Sequence, residues 1–137
     1  MGWKDCAVVK VLFCGLGQIA QRHIEIIQKN YTHEIYALRR PSSQPSGLAS
    51  VKELFSWSEA DEITFDAAFI TSPTHVHITQ ATECARRGIP LFIEKPLGSS
   101  TAGLAELVKL VQAKNFLSYV GYCFHFHRAQ KYFVNFL

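Results

Sequence analysis

The run Val8-Val9-Lys10-Val11-Leu12-Phe13-Cys14, followed at once by Gly15-Leu16-Gly17-Gln18-Ile19-Ala20, constrains this chain more than any other segment. A short apolar run that stops at a glycine turn reads as a strand buried on both faces of a parallel sheet. Beyond the turn, Ala20, Ile24 and Ile27 recur at i, i+4 and i+7, the stripe of a helix packing back on that sheet. The first turn of such a helix has N–H groups without intrahelical partners and carries the positive end of the helix dipole, so it suits an anion. Gly15 permits the tight turn. Gly17 lets backbone amides, those of Gln18 and Ile19 among them, come close to a diphosphate, and the small Ala20 lets helix and strand pack tightly.

The alternation continues along the chain. Strands are expected at Glu34–Leu38, Val51–Phe55, Asp66–Thr71, Leu91–Ile93 and Leu117–Tyr122. Arg39 to Ser50 carries two prolines, a glycine and four serines and reads as a loop. Helices are expected near Glu59, over Val76–Arg87 with Gly88 as its stop, and over Thr101–Lys114 with Ser100 as N-cap. Parallel strands joined by right-handed helical crossovers give an α/β, doubly wound, mostly parallel sheet.

The 137 residues fit one domain, and with 48% hydrophobic and 18% charged residues the chain is too apolar for disorder. The net charge of +3 is not gathered into a basic block, so nucleic acid is not an expected partner. No segment is long and apolar enough to span a bilayer, and no membrane partner is expected. The cysteines Cys6, Cys14, Cys84 and Cys123 lack metal-ligand or disulfide-scaffold spacing, which points to buried reduced thiols and a cytoplasmic setting.

A Gly-x-Gly-x-x-Ala turn between strand and helix is the context a dinucleotide fingerprint requires. An NAD site usually places Asp or Glu at the end of the second strand, bonded to the ribose 2′-OH. Here that strand runs into Arg39-Arg40, followed by Ser42 and Ser43. A guanidinium grips a 2′-phosphate in bidentate fashion, so NADP is the preferred cofactor and NAD the second choice.

Two further segments, Thr71-Ser72-Pro73-Thr74-His75-Val76-His77 and Ile93-Glu94-Lys95-Pro96-Leu97, complete a specific pattern with the glycine turn. Together they resemble the N-terminal, NAD(P)-binding Rossmann-fold domain of the glucose–fructose oxidoreductase, inositol dehydrogenase and MocA family. The likeness covers almost the whole chain. It implies that Lys95 lies beside nicotinamide and substrate as the catalytic residue, that Glu94 bonds ribose hydroxyls and that Pro96 fixes the turn. It also implies that Thr71, Ser72, Pro73 and Thr74 line the cofactor, with His77 close by. A lysine at the carboxyl end of a strand is able to stabilise charge on a reacting oxygen and to help move the accompanying proton. The expected substrate is a sugar, cyclitol or related hydroxy or keto compound.

Tyr122 to His127 resembles the family's Gly-Tyr segment, although His125 and Arg128 stand where many members have Arg and Pro. Residues 1–122 are therefore expected to form the Rossmann domain and 123–137 the start of a connector helix. The family's substrate domain is expected to be absent, since the sequence stops at Leu137. A stand-alone NADP-binding module, or a fragment without turnover, is the alternative to an active oxidoreductase.

The pairs His75/His77 and His125/His127 invite a metal, but residues i and i+2 diverge at a helix start and no further ligand has suitable spacing, so no metal is expected. Cys14 is expected to pack beneath the cofactor. Phe124, Phe126, Tyr132, Phe133 and Phe136 form an aromatic tail expected to be covered by a further domain or, in a homo-oligomer, by a second copy.

Overall fold

A computed structural model of the chain describes residues 8–123. Among the described residues six strands and four helices follow in the order β1 (Val9–Cys14), α1 (Gln18–Asn30), β2 (His33–Leu38), β3 (Val51–Leu54), α2 (Trp57–Asp61), β4 (Ala67–Ile70), α3 (His77–Arg86), β5 (Leu91–Ile93), α4 (Leu104–Lys114) and β6 (Ser118–Val120). A single 3₁₀ turn, Thr74–Val76, leads into α3. Every strand pairing is parallel, and the order across the sheet is β3-β2-β1-β4-β5-β6. That order reverses direction between β1 and β4, and open α/β sheets bind ligands in the crevice such a reversal leaves at the carboxyl ends of the strands.

The twofold alternation of β1 divides the core into two layers. Leu12 and Cys14 face α3 and α4, where they join Leu38, Ala68, Ile70, Ala81, Cys84, Ala85, Leu91, Ile93 and Leu107. Val11 and Phe13 face α1, joining Ala20, Ile24, Ile35, Ala37 and Val51. Phe13 is fully buried and stacks on Phe69 with ring centroids 4.9 Å apart. Removing such a ring from water contributes about 1.5–3 kcal/mol. The apolar run at the N-terminus thus forms the central strand because both of its faces are covered.

The third strand, the short helix near Glu59 and the stop at Gly88 (φ 75°) all form as expected. The last described helix does not. It begins at Leu104 rather than Thr101, and Gly103, not Ser100, precedes it, with a left-handed φ of 78°. The hydroxyl of Ser100 accepts only a local bond, from the Ala102 amide at 3.4 Å. A helix cannot run through a residue in the left-handed region, and at Gly103 a β-carbon would also lie 3.2 Å from Cγ2 of Ile78 in α3.

The thiols also differ from the expected pattern. Cys14 and Cys84 are buried and free, with their sulfurs 3.9 Å apart, but Cys123 is exposed. The contact of Cys14 with Cys84, reinforced by burial, raises the pKa of Cys14 well above the usual thiol range. Cys6, the aromatic tail and the connector expected over 123–137, apart from Cys123, lie outside the described residues.

Candidate functional site

The carboxyl ends of β1, β2, β4 and β5 open into two clefts that share one wall. The larger, of about 930 Å³, is lined by Ile19, Arg22, His23, Glu94, Lys95 and the Gly121–Cys123 segment, among others. The smaller, of about 480 Å³, is lined by Gly15, Leu16, Leu38, Arg39, Arg40, Ser43, Phe55 and Trp57, among others. Ser72 and Pro73, at the end of β4, border both. The two clefts therefore meet at the switch between β1 and β4.

The glycine turn stands at that junction. Gly15 has a φ of 96°, and a β-carbon built on it would lie 2.8 Å from Cα of Ser72. Only a residue without a side chain fits there. Gly17 is different. It caps α1 with φ −79°, and a β-carbon on it would meet nothing within 4 Å. No side chain caps α1, and the first intrahelical bond is donated by the Gln21 amide to the Gly17 carbonyl. The amides of Gln18, Ile19 and Ala20 thus lie in the first turn without helical acceptors. Exposed Gly17 and Gln18 leave this cradle open, and it fits a diphosphate.

Around the smaller cleft, Arg39 is not free. Its Nη1 donates to Glu53 and, at 2.6 Å, to the carbonyl of Gln44. Glu53 also accepts from the Ser46 hydroxyl and amide, and these bonds together with the Arg39 guanidinium hold its carboxyl at a pKa of about 2. Arg40 is exposed. Ser42 is exposed too, and its neighbour Ser43 lines the cleft instead. Arg87 lies 4.5 Å over the Trp57 ring and donates to Asp61, fixing that aromatic wall.

In the larger cleft, Thr71 is buried and its hydroxyl donates to the carbonyls of Cys14 and Gly15, tying β4 to the glycine turn. Ser72 donates to the Gln80 side chain. His77 is only 2% exposed, and its ring nitrogens lie 2.9 Å and 2.7 Å from the carbonyl oxygens of Pro96 and Ser72. It braces the β4 and β5 loops against each other while bordering the cleft. Thr74 and Lys95 border it as well. Lys95 is exposed, and among the described residues its ammonium has no hydrogen bond or ion pair. The Lys95–Pro96 peptide is cis.

Two residues in this arrangement escaped sequence reasoning. His23 of α1 donates from Nε2 to Oε1 of Glu94 at 2.7 Å, across 71 residues of sequence. Its signal was its place three residues after Ala20, beside the apolar stripe. Glu53 gave no signal, because nothing local marks which strand end will face Arg39. Among the described residues no group of three or more His, Cys, Asp or Glu is placed to hold a metal ion, and no helix is long and apolar enough to cross a membrane.

Known proteins share this fold. The rhizopine catabolism protein MocA of Rhizobium meliloti is 27% identical over 90 residues, covering 61% of this chain and 28% of that protein. A 4-carboxy-2-hydroxymuconate-6-semialdehyde dehydrogenase of Sphingobium sp. is 24% identical over 135 residues, covering 93% of this chain and 42% of that protein. Among solved structures, the scyllo-inositol dehydrogenase of Lactobacillus casei, with bound NAD(H) and scyllo-inositol, superposes with a TM-score of 0.75 at 22% identity, over 92% of this chain and 39% of that one. At that identity the likeness is one of fold. The chain spans between about a quarter and two fifths of the length of these relatives. Residues 9–122 match the sequence profile of the glucose–fructose oxidoreductase, inositol dehydrogenase and MocA group, an oxidoreductase family with an NAD-binding Rossmann fold, and the chain belongs to that family.

Proposed function

We propose that this chain is the dinucleotide-binding domain of an NAD(P)-dependent oxidoreductase, with NADP preferred, acting on a sugar, cyclitol or related hydroxy or keto compound. The observation that carries this is the pair of clefts joined at Ser72–Pro73 beside an uncapped helix start with open space at Gly17. A dinucleotide has two nucleoside halves joined by a diphosphate. The smaller cleft, walled by Phe55 and Trp57, suits the adenosine, the cradle at Gly15–Ile19 suits the diphosphate, and the larger cleft suits nicotinamide ribose and ring.

The preference for NADP rests on the end of β2, which carries no carboxylate and runs into Arg39-Arg40. Glu53 offsets one of those charges. Both described contacts of Arg39 use Nη1, so its Nε and Nη2 donors remain, and Arg40 adds a full charge at the cleft. Ser42 and Ser43 sit on the same loop as further donors.

When bound, the nicotinamide supplies or accepts hydride at C4. Lys95 borders the same cleft with its ammonium unengaged among the described residues, so it is positioned to bond a substrate hydroxyl or carbonyl oxygen and to hold or move the proton there. Glu94 offers carboxylate oxygens to ribose hydroxyls, Thr71, Ser72, Pro73 and Thr74 shape the wall, and Pro96 with His77 fixes the loop that carries Lys95.

Calorimetric titration of NADPH and of NADH into the 137-residue chain tests this. Binding of both, with NADPH tighter, is the expected result. No heat with either nucleotide overturns the proposal. Assay of the nucleotide-loaded chain with a panel of sugars and cyclitols then separates a turnover-competent domain from one that only binds.

A further inference from the structure

Glu94 lies at the end of β5 with its side chain only 13% exposed, in the cleft it lines together with Phe92. A carboxylate in such a place must have its oxygens satisfied or swing out into water. Both are engaged: Oε1 accepts from His23 Nε2 at 2.7 Å, and Oε2 accepts from the Lys95 amide at 3.1 Å. Each carboxylate oxygen still has a lone pair to offer. The His23 ring is itself fixed, with its centroid 5.5 Å from both Phe69 and Phe92. Gly121 leaves the pair its room, since a β-carbon there would lie 3.0 Å from Cζ of Phe92 and 3.6 Å from Oε1 of Glu94.

His23 sits five residues into the helix whose first turn forms the diphosphate cradle, about 7.5 Å along its axis from Gln18. One rigid helix therefore sets both the anion cradle and the carboxylate across the cleft. We infer that His23 is a positioning residue for the nicotinamide half of the dinucleotide, acting through Glu94 by holding that carboxylate toward the ribose. This rests on the proposed function above and adds to it a residue on α1 that fixes the spacing between diphosphate and ribose contacts.

The test compares NADH with ADP, which carries the adenosine and the diphosphate but no nicotinamide ribose, by calorimetry on the full 137-residue chain. Substituting His23→Leu keeps apolar bulk but removes the donor. It should weaken NADH about tenfold or more, the scale of a hydrogen bond to a charged group, while ADP affinity stays unchanged. His23→Gln places an amide donor near the position of Nε2 and should restore most of the loss. In a Glu94→Ala background, His23→Leu should cost nothing further, because its partner is gone.

Equal loss of NADH and ADP in His23→Leu would mark a merely structural role and overturn the inference. So would unchanged NADH binding, or a His23→Leu loss that persists in full without Glu94. Failure of the underlying proposal shows elsewhere, as no binding of either NADPH or NADH by the unsubstituted chain.

Discussion

Gly15 lies so close to Ser72 that a β-carbon on the glycine would come within 2.8 Å of the serine Cα and 2.9 Å of its amide nitrogen. The contact welds the end of β1 to the end of β4, where the sheet reverses order. Substituting Gly15→Ala combines a left-handed backbone with a backbone clash, and it should destabilise the fold by about 2–4 kcal/mol. Urea unfolding followed by far-UV circular dichroism measures this. A loss below about 1 kcal/mol would show that the turn relaxes freely.

Gly17 should behave in the opposite way. A β-carbon there meets no protein atom within 4 Å, and its φ of −79° suits any residue. Gly17→Ala should therefore change stability by less than about 1 kcal/mol. It should weaken dinucleotide binding about tenfold or more, because the methyl group occupies space the diphosphate needs. Unimpaired NADH binding in a folded Gly17→Ala chain would place the diphosphate elsewhere.

The Arg39–Glu53 pair gives the cofactor preference a tunable part. Arg40→Ala should reduce NADPH affinity relative to NADH by about tenfold, since one charge facing the 2′-phosphate is lost. Glu53→Gln removes the opposing charge from Arg39 and should shift discrimination toward NADPH. Competitive titrations of both nucleotides against each variant give the ratio, and an identical ratio in all three proteins would rule out a 2′-phosphate contact at this loop.

The same carboxylate makes the β2–β3 loop sensitive to acid. Glu53 has a folded-state pKa of about 2 against an ordinary value of 4.5, lowered by the Ser46 hydroxyl, the Arg39 guanidinium and the Ser46 amide. A depressed carboxylate stabilises the fold fully above its unfolded pKa and loses that contribution as pH falls through the folded one. The wild-type advantage in Tm over Glu53→Gln should thus be constant above about pH 4.5 and shrink toward pH 2. Thermal scans across that range measure it, and an advantage that grows on acidification contradicts the assignment.

The thiols report on the clefts independently. Cys123 is exposed and borders the larger cleft, whereas Cys14 and Cys84 are buried against each other. Iodoacetamide at neutral pH should label Cys123 in the native chain and reach Cys14 and Cys84 only after unfolding, as read by peptide mass spectrometry. Bound NADPH should slow labelling of Cys123. Rapid native labelling of Cys14 would mean that β1 is not the central strand.

The amino-acid sequence alone determined the order of elements, the parallel sheet and the glycine turn, because these rest on local physics. Apolar runs between turn residues mark buried strands, the spacing of Ala20, Ile24 and Ile27 marks the helix that covers them, and glycine alone tolerates the backbone at Gly15. It also placed Lys95 at a strand end, through the Glu-Lys-Pro segment that follows β5. The start of α4 was not legible, since glycine permits both helical and left-handed backbone and only the folded chain shows Gly103 in the latter.

Only the tertiary structure decided which charges meet. Register across β2 and β3 sets Ala37 opposite Glu53 and Leu38 opposite Leu54, which brings Glu53 to Arg39. Packing of α1 against β4 and β5 brings His23 to Glu94. His77, which the resemblance puts close to the cofactor, also bridges two loops through its ring nitrogens. Contacts of this kind join residues far apart in the chain, and their pairing is fixed by strand register and layer packing, which no local pattern of residues encodes.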